Sequence, residues 1–97
     1  MRDYVLERLC EIAADYMPIR MILFGSRSRY EESKTSDYDI AVFKDDLSET
    51  DKAVLFDKIQ EIETLKKIDL VFIDNRTDKT LLENIRRDGV IIYDQSE

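Results

Sequence analysis

Between Asp3 and Tyr16, apolar side chains recur at Val5, Leu9, Ile12, Ala13 and Tyr16, the three-and-four spacing of one helical face. The spacing predicts an amphipathic helix over residues 3–16, stopped by Pro18. Ile19 to Phe24 is a short apolar run bounded by Pro18 and Gly25, which predicts a buried strand. Gly25 and Ser26 form a turn, and Ser26 suits the cap of a short helix over about 27–31. Glu31 to Ser36 reads as a polar, solvated loop, and Tyr38 to Phe43 as a second strand. Ser48, with Asp51 three residues on, resembles a capping box. The helix it opens carries Leu55, Ile59 and Ile62 on one stripe and runs to about Glu63. Ile68 to Ile73 predicts a third strand. Thr77 or Asp78 starts a last helix bearing Leu81, Leu82 and Ile85, and Gly89 fits its left-handed C-terminal cap. Val90 to Tyr93 predicts a fourth strand. The order αβαβαβαβ gives an α/β fold, a small mixed sheet flanked by helices.

Composition narrows the chemistry. Ninety-seven residues, 43% hydrophobic and 38% charged, predict one domain over residues 1–97. No apolar run approaches the roughly 20 residues of a membrane span. The acidic N-terminal stretch with Asp3, Glu7, Glu11 and Asp15 is unlike a signal peptide. A single cysteine, Cys10, fits a reducing compartment, so the expected location is cytoplasmic. The net charge of −7 argues against general nucleic-acid binding, which needs a basic footprint, but leaves a nucleotide open. The chain has no histidine. That removes Ser-His-Asp and Cys-His mechanisms and the usual zinc sites, and leaves Cys10 without an activating base. Chemistry must come from carboxylates, hydroxyls, arginines and lysines.

Asp37 and Asp39 are the first candidates. In a strand, residues i and i+2 share a face, so the two carboxylates project side by side. Like charges that close repel unless neutralised, and a divalent cation with oxygen ligands does so. The plain alternative is a polar turn before a strand. Asp69 stands at the start of the third strand among apolar neighbours. Alone, it reads as a loop residue just outside the sheet. If the helix of residues 51–63 is a right-handed crossover, the second and third strands are parallel and Asp69 comes beside Asp37 and Asp39. Three converging carboxylates make a two-metal site. Gly25 lets backbone approach a ligand, Ser26 offers donors to phosphate, and Arg27 and Arg29 offset its charge. For these groups to meet the aspartates, the first two strands must be antiparallel. Lys34-Thr35 is similar to the end of a P-loop, but the glycine required before the lysine is replaced by Ser33. Lys66-Lys67 and Arg86-Arg87 read as solvated helix ends or loop edges. Tyr38, between the aspartates, points to the opposite face.

Gly25-Ser26, ten residues, then Asp37-x-Asp39 resembles the signature of the DNA polymerase beta-like nucleotidyltransferase superfamily. More closely, "FGSRSR" and "SDYDIAVF" look like the minimal nucleotidyltransferases, MNT, over about residues 19–93. The resemblance implies that Gly25 and Ser26 hold nucleotide phosphates, that Arg27 matches the arginine usual after Gly-Ser, and that Asp37 and Asp39 bind metal. Asp69 matches the third carboxylate, which shares a metal and accepts the proton of the attacking hydroxyl. Tyr30 departs from the glycine often found after the second arginine. The implied reaction moves AMP from ATP, with two Mg²⁺ ions, and the absence of an acceptor domain implies an acceptor site shared with a partner or a second subunit. Small MNT proteins are typically antitoxins paired with a HEPN-domain toxin, and the implied acceptor is a toxin tyrosine. Two alternatives stand beside this: an antitoxin acting by stoichiometric contact, and the catalytic subunit of a small-molecule nucleotidyltransferase. An exposed sheet edge leaves a homodimer or hetero-oligomer open.

Overall fold

A computed structural model of the chain describes residues 3–16, 18–24, 38–64 and 67–95. The first helix, α1, spans Tyr4–Ala13 and tightens into a 3-10 turn at Ala14–Tyr16. Asp3 caps it, its Oδ1 accepting from the backbone N–H groups of Val5 and Leu6. Strand β1 (Ile19–Phe24) follows, then β2 (Tyr38–Phe43), helix α2 (Glu49–Gln60), β3 (Ile68–Ile73), α3 (Lys79–Asp88) and β4 (Val90–Gln95). The short helix expected over 27–31 lies outside the described residues. Ser48 caps α2 by accepting from Asp51 N at 3.0 Å. The helix ends at Gln60, three residues before the sequence boundary, because Ile62 N turns back to Ile59 O at 3.1 Å.

The four strands form one sheet in the order β3-β2-β1-β4. β2 lies antiparallel to β1 and parallel to β3, and β4 is antiparallel to β1. The mixed sheet therefore has both pairings that the sequence argument required. Leu23, Ile40 and Leu70 are in register on one face, as are Met21, Val42 and Phe72. That face packs against Leu9 and Ile12 of α1 and Leu55 and Ile59 of α2 in the main core. Fully burying each such side chain is worth roughly 1.5–3 kcal/mol. Tyr38 belongs to this core too, and its hydroxyl donates to Asp3 Oδ2 at 2.8 Å, tying the start of β2 to the cap of α1.

The step from β2 to β3 and the step from β3 to β4 run in opposite directions across the sheet. Right-handed crossovers then put α2 and α3 on opposite faces. Consistent with this, Ile85 of α3 is buried outside the main core, and α3 ends against Ile22 on the second face.

Gly89 departs from expectation. Its backbone is extended (φ −74°, ψ 149°), not left-handed. The reason for glycine is space. A Cβ there would lie 2.2 Å from Ile85 O and 2.5 Å from Ile22 Cγ2. The helix end, held by Gly89 N–H donating to Ile85 O at 2.8 Å, sits too close to β1 for any side chain.

β4 runs two residues beyond the expected end because its ladder with β1 continues through Arg20–Asp94 to Ile19–Gln95; Asp94 Oδ1 lies 3.4 Å from Arg20 Nε. A register shift opposite Met21 and Ile22 makes Ile92 the extra residue of a bulge. The Ile92 carbonyl accepts from Cys10 Sγ at 3.1 Å. Burial, aided by nearby Glu7, pushes the Cys10 thiol up, which favours the protonated form that donates to Ile92 O. Among the described residues, no helix is long and apolar enough to cross a membrane.

Candidate active site

The end of β1, the start of β2 and the start of β3 meet at one edge of the second face. Phe24 is the register partner of Asp39, and Asp39 is the register partner of Asp69. Adjacent strands lie about 4.8 Å apart, so Asp39 and Asp69 stand side by side on one face. Asp69 is the second residue of β3 and not a loop residue, so its plain reading is overturned by the parallel register. Its side chain keeps 43% of its exposure, which leaves room for a ligand. Gly25 follows Phe24 in the chain and Asp37 precedes Tyr38. Gly25, Ser26, Arg27, Arg29 and Asp37 themselves lie outside the described residues.

Several contacts that the sequence did not reveal hold this edge in place. Gln60, the last residue of α2, donates from Nε2 to Ile68 O at 2.8 Å, fixing the strand immediately before Asp69. Tyr38 N–H donates to Lys67 O at 2.9 Å, zipping β2 to the residue before β3. Lys67 Nζ lies 3.7 Å from Asp69 Oδ1. Lys67 is solvated at the loop edge, as expected, and among the described residues its ammonium lies beside Asp69. Its position two residues before Asp69 was the available signal, since i and i+2 share a face in extended chain.

The donor set suits a hard cation. Two partly exposed carboxylates are paired in register, and the lone thiol is spent on Ile92. Mg²⁺ typically uses one or two carboxylates together with substrate phosphates. Among the described residues no third acidic, histidine or cysteine side chain joins the pair. A cleft of about 720 Å³ lies at the other end of the sheet, lined by Arg20, Phe43, Lys44 and Ile73 among others. It is remote from the carboxylates, which sit where residues 25–37 join β1 to β2.

Known proteins share this fold. A chain of a toxin–antitoxin crystal structure with AMP-PNP superposes with a TM-score of 0.73 at 24% identity, covering 92% of this chain and 73% of that one. A mutant of the toxin–antitoxin MntA-HpeT gives 0.72 at 22% identity, with the same coverage of 92% and 73%. A complex of tri-AMPylated Shewanella oneidensis HEPN toxin with MNT antitoxin gives 0.67 at 22% identity, covering 93% and 70%. At these identities the likeness is one of fold. No curated protein matches the chain. The family model described as "Polymerase beta, Nucleotidyltransferase" matches residues 7–97. By this match over nearly its whole length, the chain belongs to the polymerase beta nucleotidyltransferase family.

Proposed function

We propose that this nucleotidyltransferase moves AMP from ATP, with Mg²⁺, to a hydroxyl of a partner protein, a tyrosine of a HEPN toxin, and so acts as its antitoxin. The observation that carries the reading is the in-register pair Asp39–Asp69 beside the end of β1, in a chain of this family. The partner is drawn from the toxin–antitoxin complexes that share the fold.

Asp37, Asp39 and Asp69 would hold the metal, which when bound neutralises charge on the triphosphate and on the attacking oxygen. Gly25 and Ser26 would offer backbone and hydroxyl donors to the phosphates, with Arg27 offsetting their charge. The acceptor oxygen forms a bond to the α-phosphorus, the bond from that phosphorus to the α–β bridging oxygen breaks, and pyrophosphate leaves. The hydroxyl proton passes to the Asp69 carboxylate, which its exposure keeps accessible.

Neutralisation tests the reading. The toxin's RNA cleavage is followed with wild-type chain and with Asp39→Asn. The proposal expects the variant to bind the toxin but leave it active. Full silencing by the variant would overturn it in favour of neutralisation by contact, which the acidic chain (net charge −7) would suit against a basic RNA-cleaving surface.

A further inference from the structure

Resting on the carboxylate reading above, we propose that Lys67 is the counter-ion of Asp69 in the metal-free chain, competes with a bare divalent cation for it, and passes to the nucleotide's phosphates when metal and triphosphate arrive together. Four observations carry this. Lys67 Nζ lies 3.7 Å from Asp69 Oδ1. The two residues are i and i+2 on extended chain, so both side chains face the carboxylate row. The Lys67 carbonyl accepts from Tyr38 N–H at 2.9 Å, so the backbone from which the ammonium projects is fixed to β2 between the aspartates. The Lys67 side chain is 71% exposed, so nothing packs it down and it is free to turn.

The physical consequence is an exchange of counter-ions. Asp39 and Asp69 are register neighbours of like charge, and the Lys67 ammonium offsets that of Asp69. A cation entering alone must displace that ammonium from Asp69 and gives it no new anionic partner. A cation entering with a triphosphate brings anionic oxygens that the displaced ammonium can meet. Lys67 therefore disfavours resident metal and favours metal delivered with nucleotide.

The test is Mn²⁺ binding followed by the electron paramagnetic resonance signal of free Mn²⁺, a readout independent of turnover. Without nucleotide, Lys67→Met is expected to bind Mn²⁺ about two- to fivefold more tightly than wild type, the scale of one exposed ion pair. With a non-hydrolysable ATP analogue the gain should vanish or reverse, and Lys67→Arg should behave as wild type in both arms. Unchanged or weaker bare-metal binding in Lys67→Met, or a gain that persists with nucleotide, would overturn the proposal. Asp69→Asn separates the two readings. If it binds Mn²⁺ as wild type does, the carboxylate site itself is wrong; if it loses Mn²⁺ while Lys67→Met is unchanged, only the role of Lys67 fails. Thermal unfolding of the variants should match wild type, because the lysine side chain is exposed.

Discussion

Replacing Gly89 offers a sharp test of how α3 meets the sheet. In Gly89→Ala the new Cβ would lie 2.2 Å from Ile85 O and 2.5 Å from Ile22 Cγ2, both well inside contact distance. One neighbour is backbone at the helix end and cannot swing aside. The helix end must move off β1, which costs about 1–3 kcal/mol by analogy with overpacked cores. Moving it also weakens the Gly89 N–H to Ile85 O bond, a further cost of about 1 kcal/mol. Alanine lowers the entropy of the unfolded chain and returns about 0.4–1 kcal/mol. The net expectation is a loss of about 2 kcal/mol, or about 8–16 °C in Tm for a domain of this size. Circular dichroism melts and urea titrations measure it directly. Gly89→Asn discriminates the cause. A left-handed cap tolerates asparagine, whereas the extended, crowded Gly89 rejects asparagine at least as strongly as alanine. An asparagine variant within about 0.5 kcal/mol of wild type, beside a destabilised alanine variant, would refute the steric argument.

Tyr38→Phe removes the hydroxyl donated to Asp3 Oδ2 and should cost about 1.5 kcal/mol, read as a lower urea midpoint at unchanged slope; an unmoved midpoint would deny the bond any weight. Cys10, with its thiol pushed up by burial and by Glu7, holds its proton in the folded chain at pH values where a free cysteine has begun to ionise. Its alkylation by iodoacetamide at about pH 8 should be slower than that of free cysteine and should recover on denaturation. Rapid alkylation of the folded protein would contradict a thiol held by the half-buried Cys10–Ile92 contact.

Much of this fold is written locally. Pro18 and Gly25 bracket an apolar run that is β1, and the runs at Tyr38–Phe43 and Ile68–Ile73 are strands with those same limits. A right-handed crossover through α2 makes β2 and β3 parallel and so sets Asp69 next to Asp39. What stayed hidden depends on non-local contact. Gly89 carries the residue type of a left-handed cap, and only the approach of Ile22 from another strand reveals that glycine is there for room. β4 ends in polar residues, so its apolar pattern stops at Tyr93, while backbone pairing with Ile19 and Arg20 of β1 carries the strand to Gln95. Asp3 looked like one acid in an acidic stretch, yet it caps α1 and receives Tyr38 from 35 residues away. Gln60 had no pattern to mark it, because its partner is a backbone carbonyl.

The measurement closest to the central claim incubates the chain with α-phosphate-labelled ATP, Mg²⁺ and a HEPN-domain protein as the proposed partner, in parallel with Asp37→Asn, Asp39→Asn. The account predicts label on a tyrosine of the partner, absent with the double variant. A tight complex with silenced toxin and no label on the partner, with either form of the chain, would contradict it.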